Sequence, residues 1–194
     1  MANHRNILVI AGLIGLLSPG LQGCVPLIVA GAAGVGVMMA DDKRTAGTYI
    51  EDQNIEFKAS GLINDAYKDG VHANVTSFNQ KVLITGEVPN EEIKQKIGEI
   101  VHGVENVREA VNELAIAGVP SLTARSDDAL LTGKVKTRMI EDGTVNANHV
   151  KVVTSKGVVY LMGLLSRKEG DQAAQIASKT DGVLKVVKVF EYTD

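Results

Sequence analysis

Tryptophan is missing altogether, and the 194 residues hold one cysteine, three phenylalanines and four tyrosines. A lone thiol cannot close a disulfide or form a Cys-x-x-Cys redox pair within the chain, and a thiolate metal site needs several. With aromatics at 4% of the residues, any core must be assembled from Val, Ile, Leu and Ala. No apolar run reaches the roughly 20 residues that cross a bilayer as a helix. Ile7 to Leu17 is stopped by Ser18-Pro19-Gly20, and Val25 to Ala40 contains Pro26, Gly31, Gly34 and Gly36 and ends at Asp41-Asp42. Strong charge of one sign is also lacking, the net being −3. Nucleic-acid binding, which needs a basic face, is disfavoured. Histidines are few and scattered, at His72, His102 and His149 beyond the amino-terminal region, and no nucleophile–base set or metal-ligand spacing accompanies them.

What is present begins at Leu21-Gln22-Gly23-Cys24. A short basic start, His4 and Arg5, precedes an apolar stretch and then small residues, the order of a secretory signal. A cysteine directly after Leu-x-Gly resembles the bacterial lipoprotein signal. There the thiol is diacylated, the chain is cut before the cysteine, and the new amino terminus is acylated. The resemblance implies a signal peptide over 1–23 and a covalent lipid anchor on Cys24, with no other cofactor. Gly31, Gly34 and Gly36 do not make a phosphate loop, because no strand precedes them and no Lys-Ser/Thr follows. Residues 24–50 read as a lipidated Gly/Ala-rich tether.

Beyond the tether the chain repeats itself. His72-Ala-Asn-Val-Thr-Ser-Phe-Asn-Gln-Lys-Val-Leu-Ile-Thr-Gly86 aligns with His149-Val-Lys-Val-Val-Thr-Ser-Lys-Gly-Val-Val-Tyr-Leu-Met-Gly163. Lys58-Ala59 aligns with Lys134-Val135, and Gly103-Val104 with Gly182-Val183. Each repeat predicts a helix (Ile55 to Tyr67; Leu130 to Ile140) and then a hairpin (73–78 with 82–88; 150–154 with 158–165). A second helix follows, opened by Pro89-Asn90 in one repeat and by the capping-box spacing Ser166 to Glu169 in the other. Gly103 and Gly182 fit the left-handed residue past a helix end. A third strand (104–116; 183–192) closes the unit. The predicted class is α+β: two tandem αββαβ domains, each a three-stranded mixed sheet with two helices on one face. The boundaries expected are 51–117 for the first domain, 118–126 for the linker and 127–194 for the second domain.

The repeats differ in charge. From Glu51 to Ile116 there are 6 Lys+Arg against 12 Asp+Glu; from Ser126 to Asp194 there are 10 against 9. They also differ on the outward positions of the second strand, Leu83, Thr85 and Glu87 against Tyr160, Met162 and Leu164. An apolar second face on a sheet implies a cover, for which the first domain or the linker is the expected element and a membrane or a protein partner the alternative.

Asp42-Lys-Arg-Thr-Ala-Gly47, the strand-Gly runs Lys81 to Gly86 and Val158 to Gly163, and the paired Gly-Val-x-x-Val segments resemble the dual-BON-domain lipoproteins of the bacterial outer membrane. The resemblance covers essentially the whole chain after Cys24. It implies a non-enzymatic, lipid-anchored protein of the outer membrane facing the periplasm. Membership implies binding to anionic phospholipid, support of envelope integrity, and association with the division site and the β-barrel assembly machinery. Val25 stands where an aspartate would retain such a protein at the inner membrane. In the family, lipid contact is made mainly by the first helix of the second domain, here Asp128 to Ile140.

That helix supplies apolar Leu130, Leu131, Val135 and Met139 and cationic Lys134, Lys136 and Arg138 as candidate phospholipid-binding residues. Cations near an anionic surface contribute about 1 kcal/mol each. Leu131, Val135 and Met139 also fall at i, i+4, i+8, the spacing of a core stripe, with the cations as a solvated face. Both readings hold together if one face packs on the sheet while Leu130, Lys134 and Arg138 meet lipid. The competing function is a protein-interaction adaptor, in which the acidic first domain or an exposed strand edge recruits envelope assembly machinery. A hydrolase is a distant third, without a visible catalytic group.

Overall fold

The computed structural model describes residues 42–194. The lipidation motif, Cys24 and the expected tether up to residue 41 lie outside them. The first domain runs α1 (Ala46–Tyr67), β1 (His72–Phe78), β2 (Lys81–Val88), α2 (Glu91–His102), β3 (Glu109–Asn112) and β4 (Ala115–Ile116). The second repeats it as α3 (Leu122–Asp142), β5 (Lys151–Ser155), β6 (Val158–Met162), β7 (Leu164–Leu165), α4 (Arg167–Ser178), β8 (Lys185–Lys188) and β9 (Glu191–Tyr192). In each domain the hairpin is antiparallel and the last strand adds parallel to the central one. The last strand breaks midway, so β4 and β9 continue β3 and β8. The class is α+β with two tandem αββαβ units.

Four features differ from the sequence expectation, and the two helix starts have local causes. Helix α1 starts at Ala46, nine residues before Ile55, because the Thr45 side chain accepts the Thr48 N–H at 3.1 Å and caps it. The last five residues of the expected tether are therefore helical. Helix α3 starts at Leu122, within the expected linker, because Ser121 caps it in the same way. Gly103 is right-handed at φ −78°, and Asn106, three residues on, takes the positive φ instead. Gly182 is left-handed at φ +98°, but in the turn after α4 and not at its cap.

Each hairpin closes through two residues with positive φ, Asn79-Gln80 and Lys156-Gly157, the geometry of a type I′ turn. Each turn is held by an aspartate from the first helix of its own domain. Asp52 accepts from the Asn79 and Gln80 N–H groups at 2.8 and 2.7 Å, and Asp128 accepts from Lys156 and Gly157 at 2.8 and 2.9 Å. The strand glycines share a reason too. A Cβ at Gly86 would stand 2.0 Å from the His72 carbonyl oxygen, and one at Gly163 would stand 2.5 Å from that of His149.

Three cores result. Ile55, Ala59 and Ile63 of α1 and Ile97 and Val101 of α2 pack on Val82, Ile84 and Val88. Leu131, Val135 and Met139 of α3 and Ala173 and Ala177 of α4 pack on Val159, Leu161 and Leu165. The third core joins the domains: Phe78 and Leu83 from the first sheet meet Tyr160, Met162 and Val189 from the second. The outward face of β6 is thus covered by the first domain. The order of layers is helices, sheet, sheet, helices. It leaves α1 and α2 on one outer side and α3 and α4 on the other.

Polar contacts rim this joint. Lys151 pairs with Glu56 at 3.0 Å, Lys43 with Glu169 at 3.4 Å, and Asn79 and Arg108 both reach Glu191. Burial, and then the Glu113 carboxylate, push the Tyr160 hydroxyl up to about 12. Arg44 sits beneath the joint. Its guanidinium lies 4.0 Å from the Phe78 ring centroid and pairs with Asp42 at 2.6 Å and Asp52 at 2.7 Å. The Asp-x-Arg stretch therefore acts as a clasp.

Candidate phospholipid-binding face

Helix α3 separates its seven candidate residues by face. Leu131, Val135 and Met139 are buried in the second domain's core. Their side chains serve packing, which corrects their assignment as lipid contacts. Lys136 is corrected as well. Its ammonium turns inward and donates to the Ala147 and Val150 carbonyls at 2.5 and 2.8 Å, and burial holds its pKa below the ordinary lysine value. Leu130, Lys134 and Arg138 remain outward, with Leu130 66% exposed. Neither Lys134 nor Arg138 forms an ion pair with any described residue. Ile140 is exposed too, but on the other flank of the helix, beside Gly143 and Asn146.

The structure adds a neighbour that pattern reading passed over. Gly182 brings the turn after α4 against α3, its Cβ position 3.4 Å from Leu131. Two residues on, Leu184 donates its N–H to the Gly157 carbonyl at 2.9 Å while its side chain stays 80% exposed. Lys185 and Lys156, next to it, are exposed too. Leu130 and Leu184 with Lys134, Arg138 and Lys156 make an apolar and cationic face. A shallow depression of about 350 Å³ on it is lined by Lys134, Thr137, Arg138, Glu141, Thr180 and Asp181. The two carboxylates there make it a mixed-charge rim and not an enclosed anion pocket.

The first domain shows what differs. By the repeat, Lys58 corresponds to Lys134 and Glu105 to Leu184. Lys58 and Glu105 pair at 3.2 Å. The same place thus carries a neutralised cation in one domain and an unpaired cation beside an exposed leucine in the other. The expected strand 183–192 starts only at Lys185, which leaves Leu184 in the turn before it. The sequence signal in this register is a leucine where the sister repeat has Glu105.

A second feature is a groove of about 530 Å³ along β1 and β5, one edge strand of each sheet, lined by residues including His72, Glu87, Arg125 and Asp128. His72 Nδ1 lies 2.8 Å from the Glu87 carboxylate. Among the described residues no helix is long and apolar enough to cross a membrane, and no cluster of three metal-ligating side chains occurs.

Doubled αββαβ units with an aspartate-held hairpin and a strand glycine define a class. A family model for the BON domain matches residues 51–118 and again 127–194, and the chain belongs to the BON-domain family. Among curated relatives it is 42% identical over 176 residues to the outer membrane lipoprotein DolP of Haemophilus influenzae, covering 90% of this chain and 91% of that one. It is 35% identical over 153 residues to a 21 kDa hemolysin of Actinobacillus pleuropneumoniae, covering 78% and 79%. It is 29% identical over 150 residues to the osmotically-inducible protein Y of Escherichia coli, covering 72% of each. It is a dual-BON-domain protein of the DolP type, and its place is the outer membrane.

Proposed function

We propose that the chain is a non-enzymatic lipoprotein, anchored through Cys24, that uses the outward face of α3 to engage anionic phospholipid in the leaflet that carries it. The observation behind this reading is the contrast between Lys134, unpaired beside exposed Leu130 and Leu184, and Lys58, neutralised by Glu105. Two or three cations at about 1 kcal/mol each give weak binding from solution. The acylated cysteine removes that difficulty. A multiply acylated anchor is stable, and the tether raises the local concentration of the second domain at the lipid surface. The anchor selects the membrane and α3 selects anionic regions within it. Support of envelope integrity and recruitment to the division site follow as the roles of such a lateral sensor.

The test is co-sedimentation of the chain from residue 25 onward with vesicles, with and without phosphatidylglycerol. Binding that requires the anionic lipid, weakens with salt and falls with Lys134→Glu and Arg138→Glu supports the reading. No binding at low salt defeats it.

The edge strands β1 and β5 favour a second reading, an adaptor. Strand addition to such an edge is a common way to capture an extended partner segment, and the β-barrel assembly machinery is the partner the family resemblance suggests. Loss of a cross-link to that machinery on Thr154→Pro, with vesicle binding intact, supports this reading; an unchanged cross-link argues against it.

A further inference from the structure

Helix α1 carries the most exposed large apolar side chain among the described residues, Phe57 at 82%. Its core side is accounted for by Ile55, Ala59 and Ile63. The outward face reads Ile50, Asn54, Phe57, Gly61 and Asn64, with Lys68 just past the end, and all six are exposed. A Cβ at Gly61 would meet nothing within 4 Å, so that position is a bare notch one turn from the Phe57 ring. Neither the Asn54 nor the Asn64 side chain bonds to any described residue.

This stripe is its own complement. A two-fold axis level with residue 59, relating two antiparallel copies of α1, exchanges Phe57 with Gly61 and Asn54 with Asn64. It also lays the Lys68 stem over Ile50. We propose that this face pairs two copies of the chain, α1 against α1, with each Phe57 ring seated in the other copy's Gly61 notch. An isologous contact of this kind closes on itself and does not propagate. Charge favours the choice of occupant. The first domain carries twice as many acidic as basic residues from Glu51 to Ile116, yet the stripe holds no carboxylate. At its flank Asp65 would oppose Gln53 and not another acid. An anionic bilayer finds a single cation here, and α1 lies on the outer layer opposite α3.

One helix face buries less than the roughly 800 Å² per partner of a stable dimer, so association in solution is weak. Anchoring both copies in one membrane raises their effective concentration. Face-to-face pairing also turns the two α3 helices in opposite directions, so a pair can present only one lipid-binding face to the bilayer at a time.

The test is sedimentation equilibrium of the chain from residue 25 onward, which retains all three cores, at concentrations up to about 1 mM. The expected result is a reversible monomer–dimer equilibrium with a dissociation constant of about 0.1–1 mM. Phe57→Asp should weaken it about tenfold or more. Gly61→Leu should do the same while raising thermal stability, since leucine is the better helix former and the notch is open in the monomer. Lys134→Glu should leave it unchanged. A monomer throughout the range overturns the proposal, as does undiminished association of Gly61→Leu. Loss of vesicle binding by Phe57→Asp with no change in association would assign the face to the membrane and also overturn it.

Discussion

The two domains use the same aspartate for the same task and differ in what surrounds it. Asp52 and Asp128 each hold a hairpin turn by two backbone N–H groups. Asp52 also accepts from the Ser77 hydroxyl at 2.6 Å and pairs with Arg44, and it is fully buried. Asp128 is only half-buried and has no such clasp. The first domain has spent its helix on rigidity: it anchors the segment leading from the membrane and, through Phe78, the joint between the sheets. The second has the same scaffold with a looser rim. Its helix has cations that pair with no described residue where the first domain has a closed ion pair. Duplication supplied two equal frames, and the side chains at their rims divided the work.

The largest expected effect tests the clasp. Asp52→Ala removes one of the two carboxylates on the buried Arg44 guanidinium, which keeps Asp42, and leaves the Ser77, Asn79 and Gln80 donors without their acceptor. It should cost roughly 3–5 kcal/mol, the range for breaking a buried pair from one side. Asp128→Ala should cost about 1–2 kcal/mol, the loss of exposed-edge hydrogen bonds. Urea unfolding of both variants measures the gap; equal costs would erase the distinction between the domains.

Next is the joint itself. Met162→Glu puts a carboxylate among Phe78, Leu83 and Tyr160. Domain separation relieves that burial, so the cost cannot exceed what the joint contributes. The variant should open: its radius of gyration by small-angle scattering should rise, and unfolding should split into two transitions. A compact variant with one transition would show that the joint does not hold the domains together.

Acid should loosen the clasp from the other direction. Burial raises the Asp42 carboxyl, but Arg44 outweighs it and holds the group below its ordinary 3.8. Glu169 is held below 4.5 by the Ser166 N–H and hydroxyl and by Lys43. For carboxyls depressed in the folded state, the stability they give is full above the ordinary value and is lost as pH falls through the lower folded value. Melting temperatures should therefore be flat from pH 7 to 5 and drop below about 4.5. Arg44→Gln should shrink that drop.

The smallest effect belongs to the exposed Lys58–Glu105 pair. Glu105→Gln should change stability by less than about 0.5 kcal/mol, as exposed pairs do. That pair matters for what it hides and not for what it stabilises.

Much of this was legible in the sequence because the repeat reports it twice. The hairpins, the Ser166 capping box, the core stripes and the apolar face at Tyr160 and Met162 all follow from period and register. Helix starts at Ala46 and Leu122 were not, since their caps lie in segments that read as tether and linker. The inward turn of Lys136 was not legible either. A lysine at a helix position flanked by core residues reads as solvated until the carbonyls of Ala147 and Val150 are placed beneath it. Leu184 escaped because the expected third strand, 183–192, absorbed it as an ordinary apolar strand residue, whereas the strand starts only at Lys185. Only the alignment with Glu105, combined with the Lys58 contact, gives it meaning.

That substitution also offers the most direct test of the central claim. Leu184→Glu rebuilds in the second domain the pair that closes the first, and it leaves every core residue in place. In co-sedimentation with phosphatidylglycerol vesicles at low salt, the variant should bind about fivefold more weakly or worse, the loss of one cation near an anionic surface. Its melting temperature should be unchanged. Binding equal to that of the unmodified chain would contradict the assignment of this face to lipid.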